Sequence, residues 1–247
     1  MSLDVFQFAN LAQLPGVVHA VTTRQGGVSE GRCESLNVSY SVGDSTDNVD
    51  ENLRRAAESV GAQRDDLFAA YQVHGRAVTL VEHETQPRPK CDVLITRSPE
   101  KTLMLRFADC TPVLLADPRR NVIGAVHAGW RGSAVRAAGA AVTALGDAFG
   151  SNPRDLVAGI GPAIGPCCYE VGEDVVTAFA DRPWLFTDHH LDLWEANRQA
   201  LIEAGVPADQ IEVAGLCTQC QSERFFSHRA NAGQPAGRFA ALIRLAC

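Results

Sequence analysis

Ten short runs rich in Val, Ile, Leu and Phe set the frame for this chain: residues 16–23, 67–73, 77–81, 92–96, 102–107, 112–116, 122–126, 156–160, 211–214 and 238–245. Gly, Pro, Asp and Asn punctuate them, as they do strands bounded by turns. Asp117-Pro118-Arg119-Arg120-Asn121 joins two of the runs and reads as a hairpin turn. Helical patterns are fewer. Residues 48–60 place Val49, Leu53, Ala56, Ala57 and Val60 on one face, with Thr46 or Asp47 as cap and Gly61 as stop. Residues 133–149 are Ala-rich and end at Gly150; 174–180 and 191–204 complete the set. Strand and helix do not alternate regularly enough for a barrel or a doubly wound sheet. The expected class is α+β: a single layered α/β domain with mixed sheets, spanning residues 1–247.

Bulk properties narrow the function. Hydrophobic residues make up 46% of the chain, ample for a core. The net charge of −7 argues against nucleic acid as the main partner. No run approaches the roughly 18 apolar residues of a membrane helix, and no membrane association is expected. Residues 1–10 lack a basic region followed by an apolar run, so no signal peptide and a cytoplasmic location are expected. The eight cysteines then read as thiols or ligands rather than disulfides.

Three segments each offer one metal ligand at or near the end of an apolar run: Gln72-Val73-His74-Gly75, Ala108-Asp109-Cys110-Thr111-Pro112 and Val126-His127-Ala128-Gly129-Trp130-Arg131-Gly132. Taken singly, each ligand reads equally well as a satisfied core or surface residue. Together, His74, Cys110 and His127 leave a tetrahedral ion one open position, the catalytic rather than the structural pattern. The donors suit zinc, and copper fits them too.

Other cysteines read differently. Cys217-Thr218-Gln219-Cys220 is one CxxC without a second pair, which argues against a zinc ribbon. Adjacent Cys167 and Cys168 make poor geometry for one metal, so lining or packing is expected of them. Residues 159–166 (GIGPAIGP) look like a phosphate loop. Pro162 and Pro166, however, prevent a helix from opening directly behind it, so it is expected to be a pocket wall leading to Tyr169 and Glu170.

These segments, together with Thr22-Thr23-Arg24, Ser35-Leu36-Asn37, Val42-Gly43-Asp44, Tyr169-Glu170-Val171 and Phe225-Phe226-Ser227-His228-Arg229, run in order across almost the whole chain. The sequence resembles the YfiH-type laccase-domain family, also called the polyphenol oxidase or purine nucleoside phosphorylase family. The resemblance implies a fold like that of the cytotoxic necrotizing factor catalytic domain, with zinc on His74, Cys110 and His127. It also implies phosphorolysis of adenosine, inosine, guanosine and S-methyl-5′-thioadenosine, with adenosine deamination in the same pocket. The expected partners are therefore purine nucleosides and phosphate.

Roles follow from that chemistry. Arg131, Arg24 and Arg229 are candidate phosphate clamps, because guanidinium forks fit phosphate oxygens. Asn37 and Gln72 are candidates to bind ribose or base. Asp109, Arg131 and Glu170 are the catalytic candidates, the two acids as proton carriers beside an activated water. Adjacent strand residues face opposite ways, so Asp109 joins Cys110 in a pocket only if the strand has already turned. Three other readings stay open: a peptidoglycan-precursor editing hydrolase using Cys110 and His127, a copper polyphenol oxidase, and a metal-dependent binding module. The oxidase is disfavoured by only seven histidines and no HxH pair.

Overall fold

The computed structural model describes residues 3–82, 88–232 and 234–246. Thirteen strands run in chain order: β1 (Val5–Phe6), β2 (Val17–Thr22), β3 (Leu67–Ala69), β4 (Val78–Leu80), β5 (Val93–Thr96), β6 (Thr102–Phe107), β7 (Thr111–Asp117), β8 (Val122–Ala128), β9 (Val157–Ile160), β10 (Phe186–Thr187), β11 (His190–Leu191), β12 (Ile211–Val213) and β13 (Phe239–Leu245). The α-helices are α1 (Ala9–Ala12), α2 (Thr46–Glu58), α3 (Trp130–Ala134), α4 (Ala137–Phe149), α5 (Glu173–Ala178) and α6 (Leu193–Glu203). Two mixed sheets dominate: five strands in the order β1-β2-β13-β6-β3, and six in the order β12-β9-β7-β8-β5-β4.

The central strands are apolar on both faces, because each sheet is covered twice. In β6 and β13, Leu103, Leu105, Phe107, Phe239, Ala241 and Ile243 point between the sheets, where they meet Leu114, Ala116, Ile123 and Ala125 of β7 and β8. The intervening Met104, Ala240 and Leu242 point outward onto Val49, Leu53, Ala56 and Ala57 of α2. On the other side, Val113, Leu115, Val122 and Val126 pack against Ala138, Ala141, Val142 and Leu145 of α4 and Ala200 and Leu201 of α6. The result is a four-layer stack, helix–sheet–sheet–helix, the layered α/β architecture expected. The period-2 rule holds within each strand, but neither face is polar, so the runs read as continuous.

Every expected strand run contains a strand, and the 117–121 turn closes the β7–β8 hairpin. There Asp117 Oδ1 accepts from the Arg119 and Arg120 N–H groups at 2.9 and 3.1 Å. Other details differ. The 67–73 run is strand only to Ala69, because the Gln72 side chain takes over the pairing. Its amide donates to Arg106 O at 2.8 Å and accepts from Arg106 N at 3.0 Å. The 133–149 helix is two helices, broken where Arg136 takes φ 56° and reaches across to Glu203 and Asp181. Helix α2 starts after Ser45 with no side-chain cap, so neither Thr46 nor Asp47 caps it. Residues 83–90 (HETQPRPK), polar with two prolines, read from sequence as an exposed loop, and residues 83–87 of it lie outside the described residues. No described helix is long and apolar enough to cross a membrane.

Candidate metal centre and arginine-walled cavity

The chain passes from the five-stranded to the six-stranded sheet twice at the same end of the stack, between β3 and β4 and between β6 and β7. His74 lies in the first crossing and Cys110 in the second. His127 is the penultimate residue of β8, paired with Pro112 of β7. The ligand atoms of His74, Cys110 and His127 all lie within 4.8 Å of one another. Both crossings turn sharply: His74 has φ 63° and Asp109 φ 85°, left-handed conformations that non-glycine residues rarely adopt. The turn at Asp109 brings its side chain and that of Cys110 into one cavity, the condition sequence geometry had set.

Sequence reasoning missed the residue that organises the set. Asp92, fully buried just before β5, places its Oδ1 2.8 Å from His127 Nδ1. Its two oxygens also accept from the N–H groups of Val73, His74 and Gly75 at 3.2, 2.9 and 2.7 Å. Burial alone would push this carboxyl up. The His127 hydrogen bond and those backbone donors outweigh burial and hold it below the ordinary carboxylate range. With Nδ1 occupied, His127 presents Nε2 to the ligand cluster, the carboxylate–histidine arrangement that orients metal ligands. The donor set therefore fits a three-ligand zinc centre.

Cys110 is also tuned by its neighbours. Burial raises its thiol, but His127 and His74 overcome this and bring it down to about 6. Reciprocally, burial lowers His127, while the Cys110 thiolate and Asp92 raise it to about 9. Without a metal, the pair is a thiolate–imidazolium couple. Gly129 leaves room for it: a Cβ there would stand 2.8 Å from Cys110 Sγ and 3.3 Å from His74 Cδ2.

The three ligands line a cavity of about 960 Å³. Five arginines also line it: Arg88, Arg106, Arg131, Arg229 and Arg238. Three are committed to backbone carbonyls: Arg106 to Ala70 at 2.9 Å, Arg229 to Glu170 at 3.0 Å, and Arg238 to Ala236 at 2.6 Å. Arg131 stacks on the Trp130 ring at 4.1 Å, and its guanidinium makes no hydrogen bond among the described residues. Arg88 stacks on Tyr71, and its buried Nε and Nη2 have no hydrogen-bond partner among them. Asp109 is the one acidic side chain lining the cavity among the described residues. Its oxygens accept from Thr218 Oγ1 and Arg229 N, both at 2.7 Å. Burial, with help from the Cys110 thiolate, pushes the Tyr169 phenol up to about 12, so it faces the cavity as a neutral hydroxyl.

Of the residues singled out from sequence, Gln72, Arg131, Arg229 and Asp109 join the three ligands in this cavity. Three do not. Arg24 donates to the carbonyls of Glu34 and Ser222, both at 2.8 Å, and packs on Phe226, bracing two loops. Asn37 is fully buried, bonded to Ser39, Asp44 and the Arg238 N–H. Glu170 is exposed outside the lining, and only its carbonyl meets Arg229. Within residues 159–166 Ile164 does line the cavity, and Tyr169, to which they lead, lines it too. The cysteine expectation changes most: the sulfurs of Cys167, Cys168, Cys217 and Cys220 gather within 4.8 Å of one another.

Over residues 18–246 the sequence matches the family described as multi-copper polyphenol oxidoreductase laccase. It is 36% identical over 241 residues to a Bacteroides thetaiotaomicron protein named purine nucleoside phosphorylase, covering 90% of this chain and 89% of that one. It is 38% identical over 247 residues to purine nucleoside phosphorylase YlmD of Geobacillus stearothermophilus, covering 92% and 90%. The crystal structure of the Bacillus licheniformis hypothetical protein YfiH superposes with a TM-score of 0.87 at 36% identity, over 93% of this chain and 92% of that one. With fold and sequence in agreement, the chain belongs to the laccase-domain family that includes the proteins named YfiH and YlmD.

Proposed function

We propose that this protein is a zinc-dependent purine nucleoside phosphorylase that also deaminates adenosine. The observation carrying this reading is a three-ligand centre at one end of a cavity walled by arginines, two of which have unengaged donors. When bound, zinc supplies a Lewis acid and lowers the pKa of water in the open position. Arg131 and Arg88 hold phosphate, offering planar forks that match its oxygens. A phosphate oxygen forms the new bond to C1′ of the ribose as the bond from C1′ to the purine nitrogen breaks. Asp109 exchanges a proton with the purine ring; in deamination a water oxygen bonds to C6 of the adenine as the C6–N bond breaks, and Asp109 carries the water's proton to the departing amine. Gln72 and Arg229, both bound to backbone, shape the wall rather than reach for ligand.

The test pairs metal analysis of protein purified without added metal with an assay on adenosine and inosine. Ribose-1-phosphate and free base appearing only with phosphate, and lost with the metal in His74→Ala, support the reading. Protein that lacks metal at this centre and is inert toward nucleosides overturns it.

One observation favours a second reading. Cys110, His127 and Asp92 also form a nucleophile–base–orienter series, with the thiol already lowered to about 6. An amide hydrolase of peptidoglycan precursors would use that series without metal, and the same metal analysis separates the two. A multi-copper centre has less support: among the described residues, no cluster of three or more potential ligands holds more than two histidines.

A further inference from the structure

Cys167 and Cys168 lie in the turn of residues 166–168, and Cys217 and Cys220 in the segment of residues 217–221, about fifty residues later in sequence. All four are free thiols. Adjacent side chains diverge in a strand, but here the backbone turns, with the N–H groups of Cys168 and Tyr169 both donating to Gly165 O at 2.9 Å. The turn brings both sulfurs to one side. Cys220 Sγ stands 3.6 Å from Cys167 Sγ and 3.4 Å from Cys168 Sγ. Four thiolates around one tetrahedral zinc, each about 2.3 Å from it, would stand roughly 3.8 Å apart. The observed spacings are close to that edge.

The backbone around the sulfurs is arranged the same way. Cys217 Sγ accepts the Gly165 N–H at 3.3 Å. Such an N–H donor stabilises a thiolate and fixes its direction. The CxxC supplies two ligands from one turn, and the adjacent pair supplies the two that a second CxxC would normally bring.

We propose that Cys167, Cys168, Cys217 and Cys220 form a second metal centre, a tetrathiolate zinc site separate from the His74–Cys110–His127 set. Four protein ligands leave no open position, so the site is structural. It clips two segments that both bond Asp109. The 161–169 loop supplies Ile164, whose N–H donates to Asp109 O at 2.9 Å. The other segment supplies Thr218, whose hydroxyl donates to Asp109 Oδ1. The clip therefore sets the position of the acidic group in the cavity from outside it.

The test uses the full-length protein, purified under reducing conditions with no added metal, alongside Cys110→Ser, which removes a ligand of the first centre only. In Cys110→Ser, zinc of about one equivalent per chain is expected to remain, and zinc-edge X-ray absorption should show a shell of sulfur alone near 2.3 Å. Alkylation of Cys167, Cys168 and Cys220 should require a chelator and proceed together with zinc release. A zinc-free Cys110→Ser, a shell of mixed nitrogen and sulfur, or thiols alkylated without zinc release would each overturn the proposal. So would thiols that become reactive only after reduction, because that marks a disulfide. Cys220→Ser should lose one equivalent and melt lower; if it fails to fold, the Cys110→Ser measurements still decide.

Discussion

The Asp92 carboxylate couples two candidate metal ligands, His74 in the β3–β4 crossing and His127 in β8: Oδ1 lies 2.8 Å from His127 Nδ1 and accepts the His74 N–H at 2.9 Å. One buried group thus orients an imidazole and fixes the turn that presents another. Asp92→Asn should keep the shape but remove the charge and offer NH2 where N–H donors converge. Metal affinity is expected to fall about 10–100-fold, the usual effect of losing such a partner. Chelator competition measures it, and unchanged affinity would remove Asp92 from this role.

Gly129 begins α3 with φ −73°, so its backbone does not require glycine. The requirement is space, because a methyl would press on Cys110 Sγ at 2.8 Å. Gly129→Ala should therefore displace a ligand without changing any. Loss of metal from the first centre is expected, with α3 and the sheets intact by circular dichroism.

Arg131 and Arg88 should act on phosphate rather than on nucleoside. A charged hydrogen bond contributes about 1.5–3 kcal/mol, so Arg131→Ala should raise the KM for phosphate about 10–100-fold. The KM for inosine should change little. If both rise equally, Arg131 serves the fold or the nucleoside instead.

Asp109→Asn is a clean probe, because Asn tolerates the left-handed turn at φ 85°. The amide can still accept from Thr218 or Arg229 at its one oxygen, yet it carries no proton between substrate atoms. Adenosine turnover is expected to drop about 10²–10⁴-fold. Full turnover would reduce Asp109 to a brace.

His19, almost fully buried, accepts the Phe8 N–H at 2.8 Å through Nε2. Burial lowers its pKa from 6.5 to about 4, partly opposed by Glu212. The folded protein keeps it neutral while the unfolded chain binds a proton below pH 6.5. Its stabilising effect is therefore complete above 6.5 and is lost as pH falls toward 4, a loss of about 3 kcal/mol. Urea unfolding at pH 7 and pH 4.5 should show a smaller acid loss for His19→Gln. Parallel losses in the two proteins would rule His19 out.

Much of this was legible in the residues, for identifiable reasons. Strands covered on both faces leave continuous apolar runs, so all ten stood out. The two-residue strands β1, β10 and β11 are too short to show a period. The break at Arg136 follows from cross-helix ion pairs that no local pattern records. His74, Cys110 and His127 were visible because each closes an apolar run beside small residues. Asp92 was not, since an acid opening Val93-Leu94-Ile95 looks like an ordinary turn residue; a buried carboxylate shows itself only through its partners. Arg24, Asn37 and Glu170 sit in motifs as marked as those of the ligands, and sequence cannot separate a loop brace from a cavity wall. Adjacency tells against Cys167 and Cys168 sharing one metal, yet the 166–168 turn sets both sulfurs within 3.6 Å of Cys220 Sγ.

The three ligands of the first centre reach one another only when both crossings and the β7–β8 hairpin are in place. An unfolded chain, with neighbouring ligands 36 and 17 positions apart (74 to 110, 110 to 127), offers an ion little. With zinc bound as proposed, free metal would act as a thermodynamic ballast on the native topology: above the dissociation constant, each tenfold rise in its activity would deepen the folded basin by about 1.4 kcal/mol. The melting point of the zinc-holding chain would then be partly a readout of the trace-metal supply around it.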